Sequence, residues 1–439
     1  MHGTYSRYIM SPFSFDLQDG LFDLPLPTAQ FIISFYFCSI LHVTCFGLAS
    51  VIQIVESGLS FNMSSPAFNI KPVHRFRGTS EPVKRPKEIA CFSYDDKHEF
   101  RLDDSSMQWY YPPRLGANLS KGFDKFDKLD ESIDEHLDSL LKTIVAHEKE
   151  EGKKIDANIV TWRGMMTKIM SAPFEDRDGF EMNATFYQDC IFIEDDYGTK
   201  KQSKKQQNKQ QQARRGQFSP EVMTYWGYKF EALSCLPRPW GEMSRDFIEN
   251  RDEHIVSNKA QYCSVVRTGI GKTVLCLGGE VDAIWDSKPK EKGAPINWIE
   301  LKTSAEIRDN KGMSNFERKL MKFWIQSFLL GVPKIIVGFR SQQGILTSLE
   351  DIQTASIPET AAKRGVTSWD ANTCINFASA FLDWLRNTIN DEGVWRISRR
   401  AGSPTIEVCR VEEVGHGNIL TEEFINWRIK LSLSSNAAA

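Results

Sequence analysis

The nine cysteines of this 439-residue chain stand singly, in odd number and without a C-x-x-C pair. That pattern excludes a disulfide framework and a cysteine zinc site, and reads as reduced intracellular thiols. The eight histidines never fall at H-x3-H or H-E-x-x-H spacing, so no helix sets two imidazoles on one metal and histidine metal chemistry is not expected. Excess charge is missing too. With a formal net charge of -3, the field of the whole molecule does not draw in nucleic acid, and any such contact needs a local basic patch. What the chain does have is 41% apolar and 11% aromatic residues, enough to bury a sizeable core. Its length allows two or three average domains, or one large mixed domain with insertions.

One long uncharged run breaks this picture. Residues 31–55, "FIISFYFCSILHVTCFGLASVIQIV", could cross a bilayer if helical. From Met63 onward, however, "MSSPAFNIKPVHRFRGTSEP" has the polar start of a soluble protein. Residues 1–62 are therefore expected to be a dispensable or mis-assigned extension, the alternatives being a true anchor or a buried apolar segment. A second compositional island, residues 199–217, is basic and Gln-rich with no acid and no core-forming residue. It is expected to be a solvated insertion, open to use as a nuclear-import signal or a phosphate-backbone contact.

Between these lies a mixed α and β pattern. Residues 64–90 read as an extended lead-in. In "DESIDEHLDSLLKTIVAHEKEEGK", Ile133, Leu137, Leu140, Leu141, Ile144 and Val145 recur at helical spacing, with Glu135 near the start of the predicted helix. "IVTWRGMMTKIMSAPFE" predicts a second helix or helix edge carrying Arg163. Ser219 and Pro220 open a third helix as cap and first-turn proline, with Glu231 on one of its faces. Residues 261–305 are short β-branched runs broken by Gly, Lys and Pro, hence strands joined by hairpin-like loops. "GIGKT", residues 269–273, carries Val266 where a phosphate loop needs its first glycine, so a β-turn is the better reading. A capping box at Ser314 and Glu317 is expected to start another helix, ended by Gly331 and followed by a strand.

The strand-like stretches "GGEVDAIWD" (278–286) and "NWIELKTSA" (297–305) hold more charge than apolar strands usually tolerate. Side chains alternate across a strand, so Glu280 and Asp282 share a face, as do Glu300 and Lys302. Paired, the strands would converge three carboxylates and an ammonium on one spot. Carboxylates that close raise each other's pKa at a cost of several kcal/mol unless a cation joins them. Mg²⁺ or Mn²⁺ suits such oxygen ligands, Glu231 being the natural further ligand and the Leu301 carbonyl another. Such a site hydrolyses phosphodiesters or phosphoanhydrides, and two ions would cover both sides of an in-line displacement. Lys302 would orient the attacking water or offset developing charge, while Arg163 and Gln326 would grip phosphates and the nucleotide. Cys263 has no histidine nearby in sequence and reads as packing or pocket wall. The competing view is a set of solvated strand-edge acids.

In order along the chain, "TWRG" (161–164), "GYKFE" (227–231), "GEVD" (279–282), "IELKTS" (299–304) and "KFWIQSFLLGVPKIIVGFR" (322–340) resemble the DXO-like nuclear decapping nucleases, most closely the fungal branch. The resemblance runs from about residue 70 to about 430. It implies an α+β fold of two packed mixed β-sheets with surrounding helices, related to the PD-(D/E)XK nucleases, as one domain over 64–430. It also implies removal of 5′ triphosphates, incomplete caps or NAD caps from RNA, leaving a 5′ monophosphate. By matching motif, Glu231, Glu280, Asp282, Glu300 and the Leu301 carbonyl would be metal ligands, with Lys302 in the catalytic set. Trp162, Arg163, Gly164, Glu280, Lys302 and Gln326 would contact substrate, joined by Glu135 and Cys263. A nuclear location and a 5′→3′ exoribonuclease partner are implied as well, with neither DNA nor membrane expected. Two other readings stay open: a protein that mainly stabilises the exoribonuclease, and a PD-(D/E)XK DNA nuclease.

Overall fold

The computed structural model describes residues 65–199, 201–202, 218–363 and 369–438, all within one unit, Ser64–Ala439. The apolar run 31–55 and nearly all of the basic insertion lie outside the described residues. The strands are β1 (Ala67–Asn69), β2 (Val83–Tyr94), β3 (Phe100–Arg101), β4 (Trp109–Tyr110), β5 (Ile159–Trp162), β6 (Phe180–Tyr187), β7 (Cys190–Asp195) and β8 (Cys235–Leu236). They continue as β9 (Gln261–Ile270), β10 (Thr273–Glu280), β11 (Ala283–Ile284), β12 (Trp298–Ala305), β13 (Lys334–Arg340), β14 (Leu346–Gln353), β15 (Val394–Arg399) and β16 (Thr405–Glu412). The longer helices are α1 (Asp138–Glu151), α2 (Arg163–Ser171), α3 (Pro220–Ser234), α4 (Asn310–Leu330), α5 (Ala371–Thr388) and α6 (Glu422–Ala438).

Two mixed sheets result. A ten-stranded sheet runs β1-β16-β15-β6-β7-β5-β10-β9-β2-β3, and a six-stranded one β14-β13-β12-β11-β4-β8. The largest apolar cluster joins the two sheets through α2, α4 and α5, and includes Met166, Ile169, Leu277, Leu320, Trp324, Val337 and Phe381. A second cluster seats α1 and α6 on the far face of the large sheet, through Leu140, Ile144, Val160, Val265 and Phe424. A third holds α3 against the small sheet through Trp226, Phe230, Leu301 and Ile336. This is the two-sheet α+β architecture expected from the sequence.

Local details differ from the sequence reading, each for a physical reason. The lead-in at 64–90 is not merely extended: β2 pairs with β9, with one register irregularity across Pro86, where the missing N–H breaks the ladder, and a second between Glu88 and Ala90. Helix α1 begins at Asp138 behind Leu137, leaving Ile133 outside it and 71% exposed. Helix α4 starts four residues before the expected capping box, because Asp309 accepts from Gly312 N at 2.6 Å. Ser314 and Glu317 thus sit inside the helix, Glu317 being buried. The other punctuation holds: Ser219 caps α3 with Pro220 in its first turn, and Gly331 ends α4 at φ 72°. "GIGKT" is the β9–β10 hairpin turn, where Ile270 faces Thr273 across Gly271 at φ 57°.

A candidate metal-dependent active site between the sheets

"GGEVDAIWD" is not one strand. Strand β10 ends at Glu280 in the large sheet, and β11 begins at Ala283 in the small one, so Val281 and Asp282 carry the chain between sheets. Strand β11 then pairs with β12 over only two positions, Ala283↔Ile299 and Ile284↔Trp298. Beyond them, the β11-facing edge of β12 has no strand partner among the described residues, while its other edge pairs with β13 through Ala305↔Arg340. Asp282 fills the start of that gap: its Oδ2 accepts the Leu301 N–H at 2.6 Å. A strand residue's N–H and C=O point the same way, so the Leu301 carbonyl faces this gap too.

Around the gap the predicted acids assemble. Glu300 is fully buried, with one oxygen 3.0 Å from Arg163 Nη1 and the other 2.6 Å from Lys302 Nζ. Burial alone would raise it, but the charges of Arg163 and Lys302 prevail and hold it below the ordinary carboxylate value. Its neighbours fare differently. Burial and the Glu300 charge push Asp282 up to about 6. Burial and the Asp282 charge push Glu280 up to about 7, although this side chain keeps an open face to the cleft, so the neighbouring anion is the firmer cause. Glu231, from the last turn of α3, rises well above its usual value through burial and the charges of Asp282 and Glu280. For Lys302, burial works downward, but Glu300 and Asp282 outweigh it and keep the ammonium firmly charged.

Helix α2 delivers Arg163 as its first residue, directly after β5. The close approach depends on the two glycines of β10. A Cβ on Gly279 would lie 2.8 Å from Leu330 Cδ1 and 3.0 Å from Arg163 Cβ, and one on Gly278 would lie 2.7 Å from the Trp162 ring. Gly164, by contrast, borders open space.

On the Glu280 side opens a cavity of about 670 Å³, whose wall includes Trp162, Cys263, Glu135 and Glu280. Cys263 faces Glu280 across the β9–β10 pair, and its thiol is driven well up by burial and then by the Glu280 charge. Its buried side chain forms part of the cavity wall. Glu135 accepts from His98 Nε2 at 2.7 Å, while His98 stacks on Tyr94 with ring centroids 4.0 Å apart. Gln326 is half-buried on α4, one turn before Leu330, and makes no hydrogen bond to the acids. The site thus unites Glu231, Glu280, Asp282, Glu300, Leu301, Lys302 and Arg163, extends to Trp162, Glu135 and Cys263, and leaves Gln326 flanking. Sequence reasoning missed His136 and Glu194. His136, at φ 46°, stands 3.1 Å from both oxygens of Glu194 and accepts the Trp162 indole N–H at 3.0 Å on its backbone carbonyl. Burial lifts Glu194 to about 7 against the pull of His136. Nothing in their spacing along the chain signals this pair.

The donor set suits a hard divalent cation. Three carboxylates hold one another's pKa up in a confined space, the electrostatic condition that a bound dication relieves. Among the described residues, no three Asp, Glu, His or Cys side chains already stand in coordinating position, and Glu300 gives its two oxygens to Arg163 and Lys302. A metal would take over the neutralising role those two cations share here.

Comparison with known proteins gives the same reading. The family model for the RAI1-like PD-(D/E)XK nuclease matches residues 84–425. The decapping nuclease RAI1 of Gibberella zeae is 66% identical over 367 residues, covering 83% of this chain and 97% of that protein. A crystal structure of Candida albicans Rai1 in complex with pU5-Mn²⁺ superposes with a TM-score of 0.77 at 32% identity, covering 84% of this chain and 99% of that one. Scheffersomyces stipitis Rai1 in complex with (3′-NADP)⁺ and calcium ion gives 0.75 at 30% identity, with 83% and 100% covered. Solved relatives thus hold divalent ions, and the chain belongs to the RAI1-like PD-(D/E)XK nuclease family, a family of hydrolases.

Proposed function

We propose that this protein is a decapping nuclease, a divalent-metal-dependent hydrolase that removes triphosphate, incomplete caps or NAD caps from RNA and leaves a 5′ monophosphate. The observation that carries this reading is the juxtaposition of Glu231, Glu280, Asp282 and Glu300 with Lys302 and Arg163 at the edge of a nucleotide-sized cavity. The pU5-Mn²⁺ and (3′-NADP)⁺ complexes of the fungal relatives favour RNA ends over duplex DNA as the substrate.

Glu231, Glu280, Asp282, Glu300 and the Leu301 carbonyl would hold Mg²⁺ or Mn²⁺, with two ions engaged during catalysis. The metal supplies a more acidic bound water and a polarised phosphoryl group. The chain's own residues do the rest. Lys302, kept charged by its acidic neighbours, offsets negative charge developing on the phosphate. Arg163, whose guanidinium lies 3.0 Å from Glu300, would be available to grip a phosphate oxygen where Glu300 serves as a metal ligand. Trp162 offers an indole face fixed by its bond to His136 O, suited to stacking on the terminal base or ring. Glu135 and Cys263 line the same wall, and Gln326, flanking the site on α4, would contact the nucleotide.

Residues 64–430 form the single catalytic domain in this reading. The segment 1–62 stands outside the working part, in keeping with 83% of this chain accounting for 97% of the Gibberella zeae protein. Action in the nucleus beside a 5′→3′ exoribonuclease, which would consume the monophosphate product, belongs to the same proposal and rests on the fungal-branch resemblance. The test is incubation with Mn²⁺ or Mg²⁺ and RNAs that differ only at the 5′ end, alongside duplex DNA. Release of the end group with a monophosphate product, lost in Glu280→Gln, supports the proposal. Cleavage confined to duplex DNA refutes it, and so does stabilisation of an exoribonuclease with no end removal.

A further inference from the structure

We propose that His136 and Glu194 are positioning residues: through the backbone of residue 136 they fix the Trp162 ring as a seat for the base of an RNA end group, and so favour ends that carry one. This deepens, and rests on, the RNA 5′-end hydrolase reading above. The Trp162 ring is held at two points. It lies against Gly278, where a Cβ would come within 2.7 Å of its Cζ3, and its Nε1–H donates to the His136 carbonyl at 3.0 Å. The first contact comes with the β5–β10 pairing. The second depends on residues 128–137, which form neither strand nor helix. His136, which presents that carbonyl, stands at φ 46°, a left-handed conformation that a residue of its size rarely takes and that persists only where neighbours hold it. Here the neighbours are acids. Nδ1 of His136 lies 3.1 Å from both Glu194 oxygens, its backbone N–H donates to Asp134 Oδ1 at 3.2 Å, and its Nε2 is 3.7 Å from Asp134 Oδ2. Glu194 is only 4% exposed, and among the described residues its ion pair is with His136. A carboxylate so deeply placed holds its counter-ion firmly, since release would leave it buried and unpaired.

Register puts this anchor beside the ring. Strands β5 and β7 run parallel with Thr161 opposite Ile193, so Trp162 and Glu194 follow side by side, one position on. Val160 and Phe192 both belong to the cluster beneath α1, and side chains two apart on a strand share a face. Trp162 and Glu194 therefore stand on that face together, and His136 closes the triangle from the segment that precedes α1. All three border the cavity of about 670 Å³, which has room for a nucleoside. Stacking on an aromatic ring binds best when the ring is already held, because binding then has no side chain left to order. The base of an NAD cap or a guanosine cap can use such a seat. The pyrophosphate released from a triphosphate end has no ring and cannot. The pair thus sets a preference among ends, acting through Trp162 and not on the reacting phosphate.

The test compares NAD-capped and triphosphate-ended forms of one oligonucleotide, with Kd measured in Ca²⁺ and turnover in Mn²⁺. His136→Ala, which removes the pair and disfavours positive φ, should weaken the NAD-capped form about 3- to 10-fold more than the triphosphate form, the worth of one lost hydrogen bond. Glu194→Gln, of the same shape and far less disruptive to folding, should do so by about 2- to 5-fold. In turnover the loss on NAD-capped RNA should fall on KM more than on kcat. Trp162→Phe keeps a ring but has no N–H to tether, so in that background His136→Ala should add nothing further to the preference, the signature of a shared route. Equal weakening of both RNAs in Glu194→Gln, or a His136→Ala effect undiminished in the Trp162→Phe background, would overturn the positioning role. A wild type that binds both RNAs but releases no end group in Mn²⁺ would sink the hydrolase reading, while the Kd comparison would still decide the pair.

Discussion

Asp282→Asn should make the metal-free protein more stable, and only at neutral to alkaline pH. Folding raises the Asp282 carboxyl from 3.8 to about 6, so the folded state favours its protonated form and penalises its anion. That penalty is absent below the unfolded pKa, grows as pH rises from about 4 to 6, and is complete above. Two units at about 1.36 kcal/mol each set a ceiling near 3 kcal/mol. Water in the cleft and titration shared with Glu280 bring the expected gain to about 1–2 kcal/mol. Asparagine keeps an oxygen that can accept the Leu301 N–H, so no hydrogen bond need be lost. Glu300→Gln provides the contrast, since it leaves Arg163 and Lys302 without their buried partner and should cost about 3–5 kcal/mol. The assay is thermal unfolding in EDTA at pH 8 and pH 4.5, where about 1–2 °C per kcal/mol is expected for a unit of this size. Asp282→Asn should raise Tm at pH 8 and change it little at pH 4.5. A loss at pH 8 comparable to that of Glu300→Gln would refute the idea that the acids repel one another in the apo site.

Further outcomes follow from the same structure. Mn²⁺ should raise Tm in the wild type, more at pH 8 than at pH 6, because ligation displaces protons that Glu280 and Glu231 hold; a chelator should reverse the rise. Gly279→Ala should cost about 1–3 kcal/mol and depress activity further, since the new methyl meets Leu330 and Arg163 Cβ; urea unfolding beside a decapping assay separates the two effects. Arg428→Ala should cost about 3–5 kcal/mol by removing the cation 2.7 Å from the buried Glu148 carboxylate, which ties α1 to α6 and would keep only the neutral donors Trp427 Nε1 and Ile155 N. Denaturant titration checks this, and activity at low temperature should survive.

The acids of the site were legible because charge in an apolar strand is locally conspicuous: Glu280, Asp282, Glu300 and Lys302 stand out against Val281, Ala283, Ile299 and Leu301. How they meet was not legible. Alternation along one strand was the expected device, whereas the chain switches sheets between Glu280 and Asp282, and a two-residue β11 leaves the β12 edge open. Both arrangements fit the same hydrophobic pattern, and only the pairing partners of β10 and β11 decide between them. Helix α4 was anticipated from its apolar stripe and its glycine stop. Its start was misplaced because Asp309 and Ser314 are both competent caps, and the choice is made by where Phe316 and Leu320 must reach the core. His136 and Glu194 escaped notice because their approach requires β7 to lie beside β5, a long-range pairing that no local spacing encodes.

Direct measurement of Mn²⁺ uptake, by calorimetry with electron paramagnetic resonance as a second readout, tests the central claim most closely. The wild type should take up Mn²⁺ and release protons as it does so, and the Glu280→Gln, Asp282→Asn double variant should lose that uptake while remaining folded. Undiminished Mn²⁺ binding in the double variant would contradict the account, because the ion would then be held elsewhere than between the sheets.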